Sequence, residues 1–179
     1  FVDYTSTIQN CVYWTSIGGG DVILPFAPEL IMNGVIAEDV PGERDEDFFL
    51  ELMKRNELGF MPMPWQGDIY AVKELGNGIA VYGENGIAVL TPAIDPCNTF
   101  GLRVISQFGI AGRTAVGGDS RRHVFLDGSG NVWSLDASYT LQKLDYKEFL
   151  GATLDDVVIS YDPEYNSFYL SDSAGASYV

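Results

Sequence analysis

The side chains able to act as general bases or nucleophiles are few in this sequence. It contains one histidine, His123, and two cysteines, Cys11 and Cys97. An enzyme built on a Ser-His-Asp or Cys-His arrangement would need His123, which lies in a predicted strand beside Val124 and Phe125. A histidine in that setting is typical of a core residue with a satisfied hydrogen bond. No Gly-x-Ser-x-Gly motif occurs, and we therefore predict that the chain is not an enzyme and has no catalytic residue.

The sequence does not indicate a metal or cofactor site either. Cys11 and Cys97 are 86 residues apart and neither belongs to a Cys-x-x-Cys pair, so the four ligands of a structural zinc site are missing. Two buried free thiols are favoured over a disulfide, although both readings stay open. Asp127-Gly-Ser-Gly-Asn131 is similar to the first half of an EF-hand loop, but Ser138 stands where that loop needs its bidentate Glu. A hairpin turn explains this run better, and we predict no metal and no cofactor.

A glycosidase remains an alternative because two carboxyl groups at the right separation are enough for its chemistry. The pairs to inspect are Asp119 with Asp127 and Asp155 with Asp156. With 25 Asp and Glu in the chain, however, neighbouring carboxylates are expected by chance. Acidic residues that hold turns are the simpler interpretation of both pairs.

Tryptophans on loops give a second alternative, a carbohydrate-binding module. Trp133 lies on the second strand of a predicted hairpin, where an earlier hairpin has Val89, so we interpret it as a core residue. Trp65 lies in a predicted loop between Pro64 and Gly67. It is the tryptophan that packing explains least, and we predict that it contacts a partner or a glycan.

Composition limits the classes of protein to which the chain can belong. Its 179 residues favour a single domain, 1–179. Apolar residues make up 46% and charged residues 20%, which excludes a disordered chain and allows a real core. The net charge of −15 excludes a binder of the nucleic-acid backbone. No stretch reaches 18 apolar residues, so we expect no membrane-spanning helix.

An internal repeat predicts the elements that position these residues. Residues 79–90, 123–134 and 167–178 each consist of a β-rich run, a turn and a second β-rich run, and each is predicted to form a hairpin. Their turn glycines, Gly86, Gly130 and Gly175, are 44 and 45 residues apart. That period is the length of one four-stranded propeller blade. We expect an all-β array of about four antiparallel blades, complete or part of a larger propeller, with further strands at 108–116 and 157–161.

The N-terminal part contains a divergent hairpin and an insertion. Cys11–Ser16 and Asp21–Leu24 are predicted to pair, and about 23 residues more than one period separate this hairpin from the next. We assign the excess to an acidic helical insertion at about 38–60, with the helix at about 45–57. On this helix Phe48, Phe49 and Met53 are predicted to contact a partner, as Trp65 is.

The sequence resembles the propeller region of virion proteins of tailed bacteriophages, namely tail nozzle or tube proteins and head–tail hub or stabilisation proteins. The runs that carry the resemblance are 12–16, 68–90 and 108–135, the last reading FGIAGRTAVGGDSRRHVFLDGSGNVWSL. The resemblance implies a structural component of a particle, assembled in the host cytoplasm and acting through protein–protein contacts in a ring-like homo-oligomer. Its implied partners are other virion proteins and copies of itself, with DNA passing but not bound specifically, and no membrane. We also expect the chain to be an excerpt of a larger parent.

Overall fold

The computed structural model describes residues 10–14, 59–93, 100–146, 156–172 and 177–178. Within these ranges the chain is all-β, with thirteen strands and no helix. The strands are β1 Cys11–Trp14, β2 Gly59–Pro62, β3 Ile69–Leu75, β4 Gly78–Gly83, β5 Ile87–Pro92, β6 Phe100–Ser106, β7 Val116–Asp119, β8 Arg122–Leu126, β9 Val132–Asp136, β10 Leu141–Leu144, β11 Val158–Asp162, β12 Ser167–Ser171 and β13 Ser177–Tyr178. No helix in these ranges is long and apolar enough to cross a membrane.

The strands form four antiparallel sheets, which we number in chain order. Sheet 1 consists of β1 and β2, sheet 2 of β3 to β6, sheet 3 of β7 to β10, and sheet 4 of β11 to β13. In sheets 2, 3 and 4 each strand pairs with the next one in sequence. Short turns suffice for such connections, which explains why Gly, Asn and Asp recur between the β-rich runs.

The central strands of sheets 2 and 3 are buried on both faces. In β4, Ala80 and Tyr82 pack towards sheet 3, while Val81 packs towards sheet 1. In β8, Phe125 packs towards sheet 2 and Val124 towards sheet 4. Successive side chains of a strand alternate between its faces, so burial on both faces requires a continuous apolar run. The apolar runs at 79–82 and 124–126 satisfy this requirement.

The sheets pack face to face in the order in which they occur along the chain. The cluster between sheets 2 and 3 contains the largest buried side chains, among them Tyr82, Phe125, Leu75 and Ile87. The backbones of successive sheets approach each other at their first strands, where β7 lies next to both β3 and β11. A Cβ at Gly117 of β7 would lie 2.6 Å from the Ile159 carbonyl oxygen. The missing side chain at Gly117 therefore allows this approach.

The three predicted hairpins of the repeat are confirmed, as β4–β5, β8–β9 and β12–β13. The predicted strand at 157–161 is confirmed as β11. The predicted strand at 108–116 is wrong except at Val116. The preceding residues form a connection instead, because the N–H of Ile110 donates to the Gly83 carbonyl and that of Ala111 to the Leu126 carbonyl.

Most of the predicted N-terminal hairpin and of the helical insertion lies outside the described residues. This holds for Asp21–Leu24 and for the helix at about 45–57 with Phe48, Phe49 and Met53. Residues 59–60, at the end of the predicted insertion, lie in β2. The partner seen for β1 is β2, with Cys11 opposite Pro62 and Trp14 opposite Gly59.

Candidate functional site

His123 and Tyr82 form a buried polar pair between sheets 2 and 3. The Tyr82 hydroxyl lies 2.8 Å from His123 Nδ1, and only 1% of His123 is exposed. The tautomer of His123 decides whether Nδ1 or the Tyr82 hydroxyl donates this hydrogen bond.

Burial controls the protonation of both members of this pair. Desolvation, followed by the charge of Lys73, lowers the pKa of His123 to about 4, against smaller opposing contributions from Asp119 and Glu74. Desolvation also raises the pKa of Tyr82 well above its usual value. Both groups are therefore neutral near pH 7. Because the pair is enclosed by the core, its geometry suits a structural hydrogen bond rather than contact with a substrate.

The carboxylates singled out in the sequence do not form a catalytic pair. Asp119 and Asp127 lie at opposite ends of β8. A strand rises about 3.3 Å per residue, so the five residues of β8 separate them by more than about 13 Å. Glycoside hydrolysis needs separations of about 5 to 9.5 Å. Asp155 lies outside the described residues and Asp156 is exposed, so that pair stays untested.

Asp119 and Asp127 each hold a turn. Asp119 Oδ1 accepts the backbone N–H groups of Arg121 and Arg122. In the run similar to a calcium loop, Asp127 Oδ1 accepts the N–H groups of Ser129 and Asn131. Turns stabilised in this way are typical of aspartate. Nowhere in the described ranges do three or more His, Cys, Asp or Glu residues come together as metal ligands.

Asp127 also binds two side chains, and this arrangement links a turn to the core. Its Oδ2 accepts Asn131 Nδ2 and Trp133 Nε1, both at 2.9 Å. Burial by itself would raise the pKa of Asp127, but the hydrogen bonds from Asn131, Trp133 and Ser129 lower it below its usual value. The Trp133 ring packs on Phe108, with their centroids 4.8 Å apart. Trp133 is therefore a half-buried packing residue as predicted, but its bond to Asp127 was missed.

Trp65 packs on glycines of the neighbouring β4–β5 turn. Its indole covers Gly83 and Gly86 so closely that a Cβ at either position would overlap the ring. Asn85 of the same turn donates to the Gln66 carbonyl at 2.8 Å. These contacts give half-buried Trp65 a structural role. The prediction that it contacts a partner or a glycan stays untested. The other residues predicted to make such contacts, Phe48, Phe49 and Met53, lie outside the described residues.

The face of sheet 2 turned towards sheet 1 exposes apolar side chains that sequence reasoning missed. We call the exposed part of this face, formed by Val72, Leu102 and Val104, the open face. These side chains are 51%, 38% and 48% exposed. The alternation in Leu102-Arg103-Val104 was the available signal, because it sends two apolar side chains to the same face of β6.

The chain was also compared with known proteins. No protein-family model, curated protein or solved structure matches it.

Proposed function

We propose that the chain forms consecutive blades of a β-propeller and acts as a structural component of a bacteriophage particle. Its place would be the tail or the head–tail connector, where it would act through protein–protein contacts in a ring-like assembly. Its partners would be other virion proteins and copies of itself. The proposal combines the arrangement of the sheets with the resemblance of runs 12–16, 68–90 and 108–135 to phage propellers.

The observation that carries the proposal is the packing of successive sheets. Sheets 2, 3 and 4 are sequential antiparallel sheets, each packed on the next, and their backbones approach at the first strands β3, β7 and β11. Propeller blades have this order, because twisted four-stranded sheets placed around an axis come closest at their innermost strands. The turn spacing of 44 and 45 residues agrees with one blade per repeat.

A role in protein–protein contacts agrees with the structural roles of the histidine and aspartate side chains that could otherwise take part in catalysis. His123 bonds Tyr82 inside the core, and Asp119 and Asp127 hold turns. Apolar side chains remain exposed instead, on the open face and at Val158. Exposed apolar groups that lie together are typical of interaction surfaces.

The net charge of −15 fits a particle component through which DNA passes. A lumen of the same sign as DNA, which carries about one negative charge per 1.7 Å of axis, would not hold the nucleic acid. Passage without specific binding is therefore part of the proposal.

The experiment is native mass spectrometry of the purified full chain, with negative-stain electron microscopy of the same sample. We expect a multiple of 19.6 kDa and ring-shaped particles. A 19.6 kDa monomer at every concentration would overturn the assembly role. If that monomer bound glycans and Trp65→Ala abolished the binding, the carbohydrate-binding alternative would replace it.

A further inference from the structure

Tyr139, in the β9–β10 turn of sheet 3, has a backbone conformation that is unusual for an aromatic residue. Its φ of 65° lies in the left-handed region, where the other non-glycine residues of the described ranges are one aspartate and one asparagine. A bulky side chain is strained in this region. The turn enforces the conformation, because Asp136 Oδ1 accepts the N–H groups of Ser138 and Thr140 on either side of Tyr139. Contacts of the Tyr139 side chain therefore have to offset the strain.

The side chain of Tyr139 reaches from sheet 3 to sheet 2. Its hydroxyl donates a hydrogen bond to Asn77 Oδ1 in the β3–β4 turn. The Arg103 guanidinium of β6 lies over the ring, 5.8 Å from its centroid, which is within the range of a cation–π contact. A Cβ at Gly78, the first residue of β4, would lie 3.0 Å from the Tyr139 hydroxyl oxygen. One side chain of sheet 3 thus contacts both the first turn and the last strand of sheet 2.

The other end of the contact between sheets 2 and 3 is built from backbone. A Cβ at Gly109 would overlap the carbonyl oxygens of Gly83 and Glu84, so the two segments pack there with no side chain between them. The Ile110 N–H donates to the Gly83 carbonyl at 3.0 Å. Because Gly78 begins β4 and Gly83 ends it, this backbone contact and the Tyr139 contact lie at opposite ends of the same strand.

The Tyr139 end depends on fewer and more exposed interactions. Among the described residues, one backbone hydrogen bond joins the two sheets there, from the Gly76 N–H to the Ser120 carbonyl. The bond between Tyr139 and Asn77 is exposed, so water competes for both groups. Regions held by few buried contacts and by exposed hydrogen bonds open at a lower free-energy cost than the core. The Tyr139 end should therefore open more readily than the end at Gly83.

We propose that Tyr139 is a latch between sheets 2 and 3. While its hydroxyl bonds Asn77, the two sheets are held together at this end. When that bond breaks, the sheets separate at this end and pivot about the backbone contact between Gly83 and Gly109. The left-handed conformation directs the ring towards sheet 2, which explains why a tyrosine stands where glycine would be unstrained. The inference concerns two sheets of one chain and does not depend on the proposed virion role.

Amide hydrogen exchange followed by nuclear magnetic resonance tests the latch in the full chain. The Gly76 amide reports on the latch end and the Ile110 amide on the opposite end, because each donates a hydrogen bond between the sheets. Tyr139→Phe keeps the ring and removes the hydroxyl. We expect exchange at Gly76 to become about fivefold faster and exchange at Ile110 to stay unaltered. An unchanged rate at Gly76 would overturn the proposal. Equal acceleration at both amides would also overturn it, since it would show only a general loss of stability.

Tyr139→Gly tests whether the strain is retained for the latch. Glycine relieves the left-handed strain but removes the ring, so we expect a lower melting temperature and faster exchange at Gly76 than in Tyr139→Phe. Asp156→Gly is the matched control, because Asp156 is exposed and has a φ of 52°. This change relieves a similar strain without removing a ring, and it should keep or raise the melting temperature. A Tyr139→Gly variant that melts at or above the wild-type temperature would overturn the proposal.

Discussion

The Tyr82–His123 pair makes the stability of the fold depend on pH in a predictable direction. The pKa of His123 is about 4 in the folded chain and about 6.5 in an unfolded one. The unfolded state therefore binds a proton first as the pH falls. The unfolding free energy that depends on neutral His123 is therefore highest above pH 6.5. It falls as the pH is lowered from 6.5 towards 4, and below pH 4 it no longer changes.

The magnitude follows from the difference between the two pKa values. One pKa unit corresponds to about 1.4 kcal/mol, so the site removes about 2–3 kcal/mol of unfolding free energy between pH 7.5 and pH 4.5. His123 is almost fully buried, and little reduction for solvent screening applies. The loss is a large fraction of the 5–15 kcal/mol that stabilises a typical domain.

The assay is urea denaturation of the wild type and His123→Asn at pH 7.5 and 4.5, followed by tryptophan fluorescence. Asparagine does not titrate, so we expect the stability difference between the two proteins to shrink by about 2–3 kcal/mol at the lower pH. Phe125→Leu is the control, because Phe125 contacts the Tyr82 ring but carries no charge. Its stability difference from the wild type should be the same at both pH values. A pH-independent difference for His123→Asn would refute the reasoning.

Three further changes probe the packing around the turns. Gly109→Ala should cost more than about 3 kcal/mol of unfolding free energy, because the new Cβ would overlap a backbone carbonyl. Gly112→Ala is its control: a Cβ at Gly112 would have no atom within 4 Å, so this change should leave the melting temperature in thermal denaturation unaltered. Asp127→Ala removes an acceptor of four hydrogen bonds and should cost about 2–4 kcal/mol in urea denaturation; a loss below about 0.5 kcal/mol would contradict its role. Trp65→Ala should lower the unfolding free energy by about 2–4 kcal/mol, because the indole covers Gly83 and Gly86. The control is Tyr165→Ala, at an exposed turn, which should change the unfolding free energy by less than about 0.5 kcal/mol. Equal effects of the two changes would show that Trp65 does not support the β4–β5 turn.

Local sequence patterns predicted the hairpins. The features of the fold that were not predicted depend mostly on contacts between residues far apart in the sequence. A hairpin is indicated by its turn residues and by the alternation of apolar and polar residues on either side, which lie within about ten residues of each other. These signals are sufficient to predict the hairpins β4–β5 and β8–β9. The pairing of β1 with β2 joins residues about 50 positions apart, and no local pattern specifies it. The connection at 108–115 has the composition of a strand, but its backbone groups bond the ends of two different sheets.

The candidate site shows the same division. The core position of His123 followed from its apolar neighbours, and the turn role of Asp127 followed from the glycines after it. The sequence did not predict the hydrogen-bond partner of His123, because Tyr82 is 41 residues away and the pairing depends on how two sheets face each other. Trp65 was assigned to a loop correctly, but the glycines that it covers, Gly83 and Gly86, lie in another turn.

The central claim is that the sheets are arranged as blades around a common axis, and distances between spin labels test it most directly. One pair of labels is placed at Glu74 of β3 and Ser160 of β11, both first strands, and another at Arg103 of β6 and Ser177 of β13, the last strands of their sheets. In a parallel stack both separations would be about 20 Å, which is twice the spacing of packed sheets. In a propeller the second separation should exceed the first by at least about 10 Å, because three steps of about 4.8 Å carry β6 away from the axis. Equal separations in double electron–electron resonance would contradict the account.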